Sequence, residues 1–181
     1  MTLMTAAYDK PDWKEDIKRQ VVSEMDNSNL LRDKILQEYK PEVEKLMRYV
    51  PYFQTKGGKD IVNQYEGNGI GGGTLTFPVF DSNLMSFINV TKNSNLMNPN
   101  YVYIYSRKQI KTVKDEWNVI DHCEIRDFDV LCGILSKYVL KGMVKATVWT
   151  EGVENKIFLK VILKMQEIID HWDNEEHGAK A

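Results

Sequence analysis

Two long apolar repeats near the carboxyl end constrain the fold more than any other feature of this sequence. In residues 127–142 and again in residues 154–172, apolar side chains return every three or four positions, which is the period of an α-helix. Each repeat predicts a long helix with a broad apolar face, so we expect these two helices to form the spine of a helical core. Their apolar residues are Phe128, Leu131, Ile134, Leu135, Tyr138 and Val139 in the first repeat, and Ile157, Phe158, Val161, Ile162, Met165, Ile168, Ile169 and Trp172 in the second.

The composition fits one cooperative folded domain. The chain has 181 residues, of which 43% are hydrophobic and 28% are charged, and this size suffices for a core without disulfides or metals. Only two cysteines occur, and the sequence shows neither a secretory signal nor an apolar run long enough to cross a bilayer. We therefore expect a cytoplasmic protein with no membrane contact and with reduced thiols.

The N-terminal segment, residues 1–53, is predicted to be helical. Trp13, Ile17, Val21 and Met25 follow at four-residue intervals in a helix that begins near Asp12 and ends at residues 27–29. A second helix is expected over residues 30–39. A third is opened by Pro41 and closed by Pro51. We expect these short antiparallel helices to form a bundle, or an arm that packs on the rest of the chain.

Residues 54–73 are predicted to be a flexible, glycine-rich loop. The glycines resemble a phosphate-binding pattern, but such a pattern must follow a strand and open a helix, whereas this one leads into the extended residues 74–78. A helix capped by Asp81 or Ser82 follows, within a main helical domain over residues 74–181. The predicted class is mainly α, with α+β as the alternative: a compact helical domain with a small β element near residues 74–80 or 101–114.

The segment between Tyr101 and Lys114 interleaves aromatic and basic side chains. Residues 101–105 alternate like a strand, and Ile110, Val113 and Val119 are compatible with a hairpin or with an irregular helix. If the tyrosines share one face, they either pack on the core as part of a sheet edge or stack on bases beside the lysines. The predicted contacts to nucleic acid or to an acidic protein surface are Tyr103, Tyr105, Arg107, Lys108, Lys111 and Lys114.

No residue pattern indicates catalysis, a metal or a cofactor. Cys123 adjoins His122, but adjacent side chains point in different directions, and Cys132 reads as a core residue. Neither the cysteines nor the histidines have the paired spacing of a zinc site. The carboxylate pairs 115–116 and 175–176 are interpreted as surface charge. An enzyme whose site is assembled from residues distant in sequence is the alternative.

A series of short motifs resembles a bacterial and phage family that is known only as a domain of unknown function. The series comprises residues 76–78, 86–88, 100–101 and 149–152, followed by the helix from Glu154. In that family an Arg-Gly-Glu-Arg-Phe-x-acidic-Gly motif precedes a closing helix. Here Trp149 stands at the Phe position, while residues 145–148 replace the charged part, so residues 151–152 are expected to form only a helix-terminating turn. The resemblance implies a mainly helical fold and no function.

From these observations we predict a non-enzymatic binding protein of bacterial or phage accessory type. A protein partner is expected, and nucleic acid can bind only through the local basic patch because the net charge is −2. One alternative is a phage-encoded inhibitor of a host nuclease, of the anti-CRISPR or anti-restriction kind. The apolar face that ends at Trp172 also predicts a homodimer.

Overall fold

The computed structural model describes residues 13–56, 62–68 and 74–178. The protein is mainly α-helical, as predicted. Nine α-helices and one strand pair occur in the described ranges: α1 (Trp13–Lys34), α2 (Lys40–Met47), α3 (Val50–Lys56), β1 (Val62–Asn68), β2 (Thr74–Phe80), α4 (Ser82–Lys92), α5 (Tyr101–Arg107), α6 (Val113–His122), α7 (Phe128–Val144), α8 (Thr147–Glu154) and α9 (Ile157–Gly178). A π-helical turn joins α1 to α2, and a 3₁₀ turn precedes α7.

Helices α7 and α9 form the centre of the core, which confirms the interpretation of the two apolar repeats. They pack against each other, and α2 and α3 pack on α9. An aromatic group fills the space between them, with ring centres 4.8–5.9 Å apart, so that large side chains from four helices share one cluster. Its members are Phe53, Phe87, Tyr138 and Phe158.

The N-terminal helices differ from the prediction at their ends. Residues 27–29 do not end the first helix, because α1 runs on to Lys34 and includes the residues predicted to begin a second helix. Pro51 does not close a helix either. It lies in the first turn of α3, where proline costs no hydrogen bond because the first amides of a helix have no internal partner. The predicted domain boundaries stay a prediction.

The β element lies at residues 74–80, one of the two predicted places. Strand β2 pairs with β1 in an antiparallel register that joins Tyr65 to Phe77 and Asn68 to Thr74. Residues 62–68, predicted as part of the flexible loop, are therefore a strand. The glycines at positions 69 and 71–73 lie outside the described residues.

The segment from Tyr101 onward is helical, so the strand interpretation was wrong. Residues 101–107 form α5, and residues 113–122 form α6 behind a capping box in which Thr112 and Asp115 each bond the other's backbone amide. The strand-like alternation was misleading because the buried Ile104 and the half-buried Tyr101 and Tyr105 also fit helical spacing.

Gly152 lies inside α8 and does not form the predicted helix-terminating turn. It is buried against Phe158, with no room for a Cβ atom between them. The turn comes later, where Lys156 takes a positive φ of 57° and separates α8 from α9. Gly142 of α7 similarly admits the indole ring of Trp149, whose Nε1 donates to the carbonyl of Val139 at 3.1 Å. Close packing of α7, α8 and α9 thus depends on these two glycines.

Candidate functional site

The aromatic part of the predicted patch does not form a stacking surface. On helix α5 the side chains of Tyr101 and Tyr105 lie on one face, and Tyr103 points elsewhere, since residues two apart differ by about 200° around a helix. Tyr103 is 66% exposed and lies near Arg107, whose guanidinium carbon is 5.8 Å from its ring centre. Tyr105 turns inward and bonds a buried carboxylate. The three tyrosines predicted to share a face are thereby separated.

The basic part of the patch is largely paired with acids. Arg107 donates to Asp129 at 2.9 Å, and Lys108 donates to Asp127 at 2.6 Å, with both acids lying at the start of α7. These exposed pairs lower the local positive potential, although each contributes little to stability. Lys111 and Lys114 are exposed on either side of the α6 cap. The six predicted residues therefore do not form a continuous positive surface.

A buried carboxylate lies directly behind this helix. Glu116 of α6 is only 1% exposed. Its Oε1 atom accepts from the Tyr105 hydroxyl at 2.6 Å and from Lys137 Nζ at 2.6 Å, and its Oε2 atom accepts from the Tyr138 hydroxyl at 2.7 Å. We call these four residues the Glu116 cluster. Both carboxylate oxygens are satisfied, as a buried charge requires.

Lys137 is held from several sides. Its ammonium nitrogen lies 4.6 Å from the ring centre of Tyr105 and 4.8 Å from that of Tyr138, so two aromatic faces and one carboxylate surround the charge. Burial, followed by the charge of Glu116 and the hydrogen bond to it, raises the pKa of Tyr105 well above its usual value. Burial and the bond to Glu116 do the same for Tyr138. Both tyrosines therefore stay neutral donors.

The interpretation of the pair 115–116 as surface charge was wrong for Glu116. The sequence does indicate that Glu116 is buried. It follows Val113 by three positions and precedes Ile120 by four, which is the spacing of residues on one face of a helix. It therefore falls on the inner face of α6. Asp115 instead caps that helix, and its hydrogen bonds to the amides of Thr112 and Lys111 lower the pKa of its carboxyl group. The side chains of residues 175–176 are outside the described part of the chain.

A shallow cleft of about 510 Å³ adjoins the Glu116 cluster between α5, α7 and α8. One side carries three lysines four residues apart: Lys137 and Lys141 lie on one face of α7, and Lys145 is the residue that caps its carboxyl end. The other side is apolar and includes Val144, the most exposed apolar residue of the described chain at 92%. We call this cleft the lysine groove. Its lining residues are Tyr101, Lys137, Leu140, Lys141, Val144, Lys145, Val148 and Glu151.

Two lysines of the groove have no acidic partner among the described residues. Lys137 is bound to Glu116, but Lys141 and Lys145 form no ion pair with any described residue. The Lys141 ammonium nitrogen lies 6.0 Å from the ring centre of Tyr101, at the outer limit of a cation–π contact. The groove therefore combines two available cations with an apolar wall and a single acid, Glu151.

Neither thiol is arranged for chemistry. Burial raises the pKa of Cys123 to about 12 and that of Cys132 to about 12 as well, so both are protonated at neutral pH and are poor nucleophiles. The adjacent His122 donates from Nδ1 to the carbonyl of Asn118 at 2.7 Å, as the acceptor is a carbonyl oxygen. Among the described residues, no group of three or more His, Cys, Asp or Glu side chains could hold a metal ion.

Within the ranges that the structure covers, no helix combines the length and the apolar character needed to span a bilayer. No family model matches the sequence, and no curated protein or solved structure is significantly similar to it. The resemblance to the bacterial and phage family thus stays a prediction, and the function must be inferred from the geometry of the chain itself.

Proposed function

We propose that this chain is a non-enzymatic binding protein and that the lysine groove holds an acidic segment of another protein. The observation that carries the proposal is the position of Val144, 92% exposed between two lysines that form no ion pair in the described structure. An exposed apolar side chain costs free energy in water, and its burial by a partner recovers about 25 cal/mol per Å². Unpaired lysines at its edge select a partner of opposite charge.

The lining of the groove favours a polypeptide over nucleic acid. Leu140, Val144 and Val148 form an apolar strip that suits the apolar face of a peptide and offers nothing to a phosphate backbone. The net charge of −2 also provides no general attraction to nucleic acid. An amphipathic acidic helix, with apolar residues on one face and carboxylates beside them, matches both features.

Several features support binding rather than catalysis. Glu116, the carboxylate of the cluster that adjoins the groove, already accepts three hydrogen bonds, so it has little capacity to serve as a base. The cysteines are protonated, as described above. A nuclease inhibitor, the alternative predicted from the sequence, is a special case of this proposal in which the acidic segment belongs to a host nuclease.

The test uses two charge-reversal variants that change net charge equally. The groove variant carries Lys141→Glu and Lys145→Glu, and the control carries Lys92→Glu and Lys114→Glu, two exposed lysines elsewhere. Tagged wild-type protein and both variants are used in pull-downs from nuclease-treated lysate of the cells that encode the protein. We expect one partner to be retained by the wild type and the control and to be lost by the groove variant.

Titration with the purified partner then measures affinity. The groove variant is expected to weaken binding at least tenfold, and Val144→Ser should weaken it as well because the apolar contact is removed. Equal losses for the groove and control variants would refute the assignment of the site. A partner that is captured from untreated lysate but not from nuclease-treated lysate would refute the proposal that the groove holds a segment of another protein.

A further inference from the structure

Helix α8 carries acidic side chains and no basic ones. Among the nine helices of the described ranges it alone does so, because every other helix that contains an acid also contains a lysine. Its two glutamates, Glu151 and Glu154, are exposed and form no ion pair with a described residue. Val148 of the same helix is half-buried. Helix α8 therefore has the features that suit the lysine groove, which are carboxylates next to an apolar side chain.

The same helix forms one wall of the groove. Val148 and Glu151 line the cleft together with Lys141 and Lys145 at the end of α7. A two-fold axis that passes between Lys141 and Glu151 brings Lys141 of each copy to Glu151 of the other, because the rotation exchanges the two positions. The wall of each copy then enters the groove of the other. We propose that the free protein forms this dimer, in which α8 of a second copy occupies the lysine groove.

The charges of the two surfaces are complementary. Each half of the contact places the two lysines of one copy, at positions 141 and 145, near the two glutamates of the other. No ion pair of the described structure has to break for them to meet. Attraction between opposite charges selects this orientation over others. Val144, which is 92% exposed in the same groove, is covered at the same time, so its apolar surface leaves water.

The dimer blocks the site of the proposed function, on which this step of the inference rests. A partner and a second copy require the same lysines, so the partner binds only a chain that has left the dimer. The apparent affinity for the partner should therefore fall as the concentration of this chain rises above the dissociation constant of the dimer. Self-pairing thus keeps Val144 covered until a partner displaces the second copy.

This interface differs from the homodimer predicted from α9. Of the α9 residues that predicted it, all but Trp172 are buried within the same chain, and Trp172 packs on the core. That face is therefore not available to a second copy. The side chains of the α7 and α8 contact, in contrast, are exposed or line an open cleft.

Charge reversal tests the contact through a pair of variants. Light scattering of the wild-type protein at about 100 μM and low ionic strength should give the dimer mass. Lys141→Glu with Lys145→Glu, and Glu151→Lys alone, should each give the monomer mass, because like charges then face each other. An equimolar mixture of these two variants should give the dimer mass again, since opposite charges face each other in both halves. Glu124→Lys, an exposed control on another surface, should remain a dimer.

Three results would overturn the proposal: a monomer mass for the wild type, a dimer mass for either variant alone, or a monomer mass for their mixture. The partner from the pull-down separates the two proposals. Mixed with excess partner, the dimer should give a complex that holds one copy of this chain, and a complex that retains both copies would overturn the occupation of the groove by α8. If a partner is captured through the groove but the wild type is a monomer, the dimer fails and the proposed function stands. If the wild type is a dimer by the criteria above and no partner is captured, the dimer stands and the proposed function fails.

Discussion

Removal of the Glu116 carboxylate should be among the most damaging single changes in this protein. Glu116→Ala leaves the Tyr138 hydroxyl buried without an acceptor and deprives Lys137 and Tyr105 of theirs. A buried donor without a partner costs about 1–3 kcal/mol, and loss of one member of a buried ion pair costs about 3–5 kcal/mol. Lys137 borders the groove and can reach water, so we expect the free energy of unfolding to fall by about 4 kcal/mol. For a chain of this length that is a drop in Tm of about 8–16 °C.

Urea unfolding followed by circular dichroism measures this change. The matched control is Glu154→Ala on the exposed end of α8, which should stay within about 0.5 kcal/mol of the wild type. A fourfold variant with Glu116→Leu, Lys137→Met, Tyr105→Phe and Tyr138→Phe should recover most of the loss, because no polar group is then left unpaired. The reasoning is refuted if Glu116→Ala matches its control, or if the fourfold variant is less stable than the single one.

Three further predictions follow from burial and packing. Burial raises the pKa of Cys123, Cys132 and Tyr52 to about 12, from ordinary values of 9.0 for cysteine and 10.0 for tyrosine. The fold thus favours the protonated forms, so stability should be complete below pH 9 and fall as the pH rises from 9 towards 12; urea unfolding at pH 7, 9 and 10.5 checks the sign. At pH 7 both thiols should react with a thiol reagent at least a hundredfold more slowly than free cysteine, until urea unfolds the chain; rapid labelling of either thiol in the folded protein would contradict their burial. Gly142→Ala should cost about 1–3 kcal/mol because its Cβ atom would overlap the ring of Trp149, whereas Met143→Ala at the exposed neighbouring position should cost less than about 0.5 kcal/mol.

The sequence correctly predicted the elements in which the apolar repeat continues over several helical turns. Helix α7 was placed within two residues of its ends and the start of α9 within three, although α9 runs six residues beyond Trp172. Of the two predicted caps, Asp81 or Ser82, the structure has Asp81, whose side chain accepts from the amide of Asn83 at 2.7 Å. Short elements were harder. Seven residues from Tyr101 satisfy both a strand and a helix pattern, and the packing of α5 on α7, which sequence spacing does not contain, decides between them.

The candidate site was located less well than the fold. The predicted basic patch failed to account for Asp127 and Asp129, which are about twenty residues away in sequence but pair with Lys108 and Arg107 in space. The sequence analysis did not find the lysine groove, because its residues come from three helices that meet only in the folded chain. Only the row of Lys137, Lys141 and Lys145 was visible beforehand, as a four-residue repeat in the sequence.

The Glu116 cluster also restricts how this protein can evolve. Its four members are 11 and 21 residues apart along the chain, at positions 105, 116 and 137 with Tyr138 adjacent. A mutation that removes Glu116 is tolerated only where Lys137 and both tyrosines have already been replaced, or are replaced soon afterwards. Among diverged descendants of this sequence, the four positions should therefore change as a unit, while the exposed pairs around Arg107 and Lys108 vary one residue at a time. Retention of Tyr, Glu, Lys and Tyr at this spacing would thus identify distant relatives after most of the surface has changed.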